Sequence, residues 1–355
     1  MTGMVAYYLA FRAPLHIGER GIGQEETREF IPADTLFSAI CSIWRLLYGV
    51  DSLSNNLLAR YQDAGREPFF LTSAFPFASA LRFYPKPLRP PTNDTETAKR
   101  WKGIRWVSER VLAQYLRGET IALEPPPGPP MEPSRLLLQE GEILIHPDDW
   151  HTLQNHWDYE QDDLVIYRRA VVPRVTLDRI TNASQIWQFG EVHFAQGCGL
   201  WFGVQFGEAS FQPQFEACLR LLGDTGLGGE RGAGRGLFTF ARREWTIESP
   251  KQPVNAFITL SPWLPANEEQ RNWLRADGSA YQLTLKRGWL GSPEANNLRR
   301  KEVWMVAEGS LIAHPPEFRL GQLIDLRPDH APHPAYRYGY AFPIGTTVPS
   351  TSGVK

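Results

Sequence analysis

At 355 residues, with 42% hydrophobic and 21% charged content, the chain can bury two ordinary cores, which excludes a disordered or low-complexity protein. A formal net charge of −2 excludes a surface coated in positive charge, so any contact with nucleic acid must be local. Three scattered cysteines (Cys41, Cys198, Cys218) form neither a disulfide framework nor a zinc site and fit a reducing compartment. No apolar run has membrane-spanning length and Met1–Tyr8 lacks a signal pattern, so the expected location is the cytoplasm, without membrane contact.

Taken in order, Val5–Phe11 reads as a strand ending in Ala13-Pro-Leu-His-Ile-Gly18, followed by a polar loop carrying Arg20 and Arg28. Ile31-Pro-Ala-Asp-Thr35 then opens a helix whose Leu36, Phe37, Ile40, Ile43, Trp44 and Leu47 share one face. Asp34 or Thr35 can cap it, and its orphan N–H groups, beside a basic loop, suit a phosphate. Phe69–Phe77 is apolar and extended, after which the prolines of Tyr84–Pro91 and Pro125–Pro133 interrupt regular structure and predict stiffened connectors outside the core.

Charge is polarised along the chain. Arg82–Arg117 holds nine basic residues against three acidic, whereas Glu140–Asp163 holds eight acidic residues and no Lys or Arg. Such runs predict one acidic and one basic or neutral partner, or two solvated faces. A further basic patch follows at Arg168, Arg169 and Arg174. Trp187–Phe194 and Leu200–Phe206 read as two strands of a hairpin joined by Ala195–Gly199. A helix at 211–222 and a strand at 236–245 complete a strand–helix–strand–strand–helix–strand order, the ferredoxin-like βαββαβ arrangement that RNA-recognition domains also use. Beyond Asn255, strands are expected at 256–260, 281–285 and 301–312 with a short helix at 267–275.

The most unusual stretch is Gly223–Gly236, in which seven of fourteen residues are glycine and Arg231 and Arg235 are interspersed. Ordering glycine is entropically costly, and close approach of another backbone or a phosphate offsets that cost. The stretch is no Walker A loop, lacking a terminal Lys-Ser or Lys-Thr, and contains no Gly-x-Gly-x-x-Gly spacing. The eight histidines form no metal set, and no Gly-x-Ser-x-Gly elbow occurs, so neither metal nor cofactor is expected. His16 alone stands where a general acid or base could, beside the basic loop. What remains is RNA-binding chemistry: arginines for phosphates, glycines for close approach, and Tyr84, Trp101, Trp106, Trp187 and Trp201 as candidate stackers, with Tyr84 the likeliest exposed one.

Ala13–Gly18, Ile31-Pro-Ala-Asp-Thr-Leu36, Tyr84-Pro-Lys-Pro-Leu88, Pro173-Arg-Val-Thr-Leu-Asp-Arg179, the glycine-rich stretch, Glu308-Gly-Ser310 and His333–Gly339 occur together in this order. As a set they resemble the RAMP superfamily of CRISPR proteins, and within it the family of the fourth Csm subunit of type III-A effector complexes. The resemblance implies an α+β chain of two ferredoxin-like (RRM-like) domains with proline-rich and basic insertions. Residues 1–250 would form the first, with insertions near 80–135 and 140–165, residues 251–345 a degenerate second, and 346–355 a tail. It implies a crRNA-binding subunit without nuclease activity that recognises the 5′ handle and joins the large polymerase-like subunit to the repeated backbone RAMP subunit. A protruding thumb hairpin would match the basic insertion at 82–117. The expected RNA-facing residues are Gly18, Arg20, Arg28, Asp34, Thr35, Tyr84, Lys86, Arg168, Arg169, Arg174, Gly228, Gly229, Arg231, Gly232, Gly234 and Arg235. Two alternatives stay open: a metal-independent endoribonuclease acting through His16, and a small-molecule phosphate-binding protein.

Overall fold

The computed structural model describes residues 3–348 except 19–23, 26, 64, 93, 125–135, 159–162, 179, 181–183, 248–253, 293 and 318. Arg20 and the run Pro125–Pro133 therefore lie outside the described residues.

The first strand, Met4–Phe11, lies one strand in from the edge of a large sheet. Its alternating Tyr7 and Leu9 are wholly buried, and it pairs antiparallel with Cys198–Phe206 on one side and Phe238–Trp245 on the other. The sheet continues from Cys198–Phe206 through Phe75–Ala78, Leu81–Pro85, Trp106–Ser108, Ile143–Leu144 and Leu137–Leu138. Helices Ala33–Asp51 and Phe211–Thr225 connect its strands and lie against each other, the Trp44 and Phe211 rings 6.2 Å apart. Phe215, wholly buried, anchors the second helix against Tyr7, Phe69 and Phe202, whose ring centroids lie 5.6, 5.0 and 6.3 Å away. Truncating such a ring leaves a cavity and costs about 3–5 kcal/mol. The helical spacing predicted for 36–44 is buried as expected, but Leu46, Leu47 and Val50 face solvent. Read with its continuation to Gln62, this helix is long and apolar enough to cross a membrane by length and composition alone; its inner face is instead core.

The predicted hairpin between 187–194 and 200–206 does not form. Ser184–Phe194 pairs with Tyr167–Leu177 over eleven residues each, whereas Cys198–Phe206 enters the central sheet. The chain changes sheets at 195–197 because Cys198–Trp201 pairs with Phe75–Ala78. The insertion near 82–117 is not a protrusion either. Leu81–Pro85 and Trp106–Ser108 extend the central sheet, and Tyr84, Trp101, Trp106 and Leu112 are core residues.

Beyond residue 254 the strands form three small sheets: Leu311–Ile312 with Ala256–Thr259 and Pro343–Thr346, Leu283–Lys286 with Val303–Val306, and Gly321–Asp325 with Tyr336–Tyr340. The helix Glu268–Trp273 is capped as its sequence suggests, the Asn267 side chain accepting from the Gln270 N–H at 2.9 Å. Ile258, Leu323, Tyr338 and Tyr340 join the same hydrophobic cluster as Phe37, Tyr61 and Phe69, so one core spans both halves of the chain. The tail begins later than expected, since Thr346 ends a strand and Val348 is buried.

Candidate nucleic-acid interface

The glycine-rich stretch leaves the helix Phe211–Thr225 and folds back under the end of the first strand. The Gly229 N–H donates to the His16 carbonyl at 2.9 Å, and the Gly236 N–H to the Pro14 carbonyl at 2.9 Å. A Cβ on Gly228, whose φ is +96°, would lie 2.2 Å from the His16 carbonyl oxygen; one on Gly229 would lie 2.7 Å from the His16 ring. These glycines are thus required by the chain's own backbone. Gly232 and Gly234 are different, with nothing within 4 Å of a Cβ. Gly232 lies within the exposed tip Arg231–Ala233 and Gly234 directly follows it, and among the described residues Arg231 makes no ion pair.

His16 is the packing partner that this loop encloses. It is 3% exposed, its Nδ1 lies 2.7 Å from the Gly190 carbonyl, and its ring sits 4.1 Å from Phe189. His16, the candidate acid or base of the endoribonuclease alternative, is therefore a buried, packed ring. Gly18 lies next to it, bridged to Thr27, and Arg28 covers the Phe30 ring at 5.6 Å.

The long hairpin of Tyr167–Leu177 and Ser184–Phe194 stands beside the loop. Its base is fixed by the Leu15–Val192 pair, with N–H···O distances of 2.9 and 2.8 Å, and by the parallel strand Gln24–Glu25. Strand alternation gives it two faces. Phe189 is buried on the face that carries Arg174 and Glu191, while on the opposite face Val192 is buried near the base and Val171, Val175 and Ile186 are 67%, 56% and 69% exposed. Aliphatic side chains this open on an ordered ribbon are unusual for a solvent face, where charged residues normally protect an edge. Trp187, half-buried, stacks edge-on to Phe189 at 5.6 Å and sits opposite Arg174.

Ion pairs join these elements. Glu191, 2% exposed, lies 2.6 Å from Arg235 and 3.6 Å from Arg174. Arg169 reaches Glu142 at 2.9 Å and the buried Glu29 at 3.4 Å, and Arg168 reaches Asp158 at 2.5 Å. The structure thus gathers Gly18, Gly228 and Gly229 around His16 and joins Arg174 to Arg235 through Glu191, with Arg231, Gly232 and Gly234 at the loop tip, whereas the consecutive strand residues Arg168 and Arg169 project to opposite faces of the hairpin and Arg28 lies over Phe30.

Four expected residues are elsewhere. Tyr84 is 1% exposed, edge-on to Trp201 at 4.8 Å and accepting from the Trp245 indole at 3.2 Å, so it cannot stack on a base. Asp34 is 1% exposed and neither caps its helix nor faces an RNA; it is held by Lys286 at 2.9 Å and by Arg337. Burial would raise its pKa, but the two cations outweigh that and hold the carboxyl at about 2. Thr35, half-buried, donates its N–H to the Pro32 carbonyl. Lys86 donates to the carbonyls of Trp101 and Lys102, and burial lowers its pKa to about 8.

The opposite charge runs prove to be partners of each other. Arg110 meets Asp149 at 3.0 Å, Arg105 meets Glu142 at 3.8 Å, and Asp163 accepts the N–H groups of Gln139 and Glu140. Arg82 is paired within its own segment, with Glu109 at 2.6 Å. Among the described residues, these pairs account for part of each run, while Lys99, Lys102 and Glu140 remain exposed. The hairpin's apolar outer face had a legible signal in the alternation Val171, Val175, Leu177, but only the pairing shows which side it occupies.

Residues 252–346 match the family model of the CRISPR Csm4 C-terminal domain. The Csm4 protein of the CRISPR system of Thermococcus onnurineus (strain NA1) is 27% identical over 350 residues, covering 95% of this chain and 98% of that relative. Its Mycobacterium tuberculosis counterpart is 24% identical over 343 residues, covering 95% of each. Among solved structures, Csm4 in the Csm3–Csm4 subcomplex of the type III-A interference complex superposes with a TM-score of 0.67 at 16% identity, covering 98% of this chain and 100% of that one. A chain of the Csm1–Csm4 cassette bound to cA4 gives 0.60 at 22% identity, covering 98% of each. The chain therefore shares its overall fold with chains of these CRISPR complexes. Within that class, this chain is Csm4-like along nearly its whole length.

Proposed function

We propose that this chain is a guide-binding structural subunit of a type III-A CRISPR complex, holding the 5′ handle of the crRNA against the glycine loop and hairpin base. The observation that carries the reading is the meeting of Arg174, from the hairpin, and Arg235, from the glycine loop, on Glu191, beside an open loop tip that bears Arg231, Gly232 and Gly234. Arginines take phosphate oxygens with a forked geometry, and a bare glycine tip lets a ribose–phosphate backbone approach. The hairpin at 167–194, not the insertion at 82–117, is the thumb of this reading. Val171, Val175 and Ile186 offer an apolar edge on which a base can rest, turning the guide away from its stacked path.

Strand order Phe238–Trp245, Met4–Phe11, Cys198–Phe206, Phe75–Ala78, with both long helices as connections, supports a ferredoxin-like first domain. The three small sheets beyond residue 254 support a degenerate second one, with the boundary falling in 248–253. By likeness to complexes containing Csm1 and Csm3, the chain joins a large polymerase-like subunit to a repeated backbone subunit in antiviral defence, as a cytoplasmic non-enzyme. The buried position of His16 speaks against the endoribonuclease alternative.

The test is RNA binding by the purified chain, alone and with both partner subunits. Handle-bearing RNA should bind more tightly than unrelated RNA of equal length, with affinity falling steeply as salt rises. Equal affinity for the two RNAs overturns handle recognition.

A further inference from the structure

Glu191 sits on the inner strand of the hairpin, wholly enclosed, with three cationic groups and no second carboxylate recorded against it. Its Oε1 lies 2.6 Å from Arg235 Nη2 and 3.6 Å from Arg174 Nη2, and its Oε2 lies 3.3 Å from His193 Nε2. The two arginines come from different elements, Arg235 from the glycine loop and Arg174 from the outer hairpin strand. One carboxylate therefore faces two permanent positive charges. Arg174 Nε and Nη2 and Arg235 Nε are also buried without a hydrogen bond among the described residues. Buried guanidinium donors without hydrogen bonds are costly, so the charge of Glu191 is what keeps both arginines drawn in at this point. Below Arg174 lies the Phe189 ring at 5.6 Å, which offers no acceptor oxygen and leaves the guanidinium edge for another group.

We infer that Glu191 is a positioning residue. It clamps the glycine loop to the hairpin through Arg235 and Arg174 and so holds the solvent-reaching parts of both side chains, 23% and 31% exposed, in place for one phosphodiester group. This rests on the guide-binding reading, but it makes a claim that charge alone contradicts. Removing an acidic residue from an RNA-facing region should strengthen RNA binding by simple electrostatics; removing a clamp should weaken it.

Glu191→Gln and Arg235→Lys are compared with the wild type in two measurements. In handle-RNA binding, both variants should lose about tenfold or more in affinity, with a shallower salt dependence than wild type. In hydrogen exchange of the RNA-free protein, amides 229–236 and 186–192 should exchange faster together in Glu191→Gln. Tighter or unchanged RNA binding by variants of a binding-competent wild type overturns the phosphodiester site. Unchanged exchange in both segments overturns the clamp, whatever the RNA result. Failure of the wild type to prefer handle RNA sinks the guide reading alone, and the exchange measurement then still decides the clamp. Arg235→Lys keeps the carboxylate buried and paired, so it remains informative if Glu191→Gln does not fold.

Discussion

Arg231 and Arg235 lie four residues apart in one glycine-rich loop, yet only Arg235 is drawn to a buried carboxylate, 2.6 Å from Glu191. Arg231 stands exposed at the tip, followed by two glycines with open surroundings, Gly232 and Gly234. Arg231→Ala should therefore weaken handle-RNA binding by about 1–3 kcal/mol, the worth of a charge-assisted contact, without moving the melting temperature. The glycines divide in the same way. Gly229→Ala drives a methyl to 2.7 Å from the His16 ring and should destabilise the fold by about 1–3 kcal/mol in urea denaturation. Gly232→Ala, with open space around it, should stay within about 0.5 kcal/mol of wild type. Composition alone marked this loop as special but could not sort its residues. Which glycines serve the chain's own packing depends on His16, more than two hundred residues earlier in sequence. Tyr84 was misread for the same reason: flanking prolines and cations look exposed until Trp201 and Trp245 are placed over the ring.

The elements with strong internal periodicity were the legible ones. Helix Ala33–Asp51 and helix Phe211–Thr225 bury the predicted faces because their apolar spacing suits one side of a helix packed on a sheet. The strand pairing was not legible. Trp187–Phe194 and Leu200–Phe206 are close in sequence and both strand-like, but local pattern says nothing about which sheet a strand joins. The true hairpin, 167–194, supplies the prediction at this scale. Replacing Val171, Val175 and Ile186 together by Ser removes only exposed aliphatic surface and should leave thermal stability nearly unchanged. With 2-aminopurine placed just beyond the handle, the wild type should raise its fluorescence by unstacking the base; the triple variant should not. Equal fluorescence in both would remove the hairpin's outer face from the guide path.

For the molecule as a whole, the two halves are one body, tied by a shared core and by Asp34 with Lys286 and Arg337. The sign of its acid response follows. An unfolded chain protonates Asp34 near 3.8, whereas the folded chain holds the carboxylate charged down to about 2. The pair thus contributes about 2 kcal/mol above pH 4, lost as pH falls through about 2. Asp34→Asn should flatten that part of the stability–pH curve and, by leaving two buried cations unpaired, cost about 3–5 kcal/mol at neutral pH. An unaltered acid limb in the variant would show that Asp34 does not titrate with folding. The opposite charge runs at 82–117 and 140–163 were read as partner surfaces because sequence shows charge without showing contact; folded, Arg110–Asp149 and Arg105–Glu142 account for part of each.

The central claim is that one surface, glycine loop plus hairpin, carries the guide. Ultraviolet cross-linking of the assembled complex to a crRNA with a photoreactive handle, read by peptide mass spectrometry, tests it most directly. The account predicts cross-links concentrated in 226–236 and 167–194, lost from the loop in Arg231→Ala. Cross-links confined to 82–117 or to the chain beyond residue 254, with none in the loop or hairpin, would contradict it.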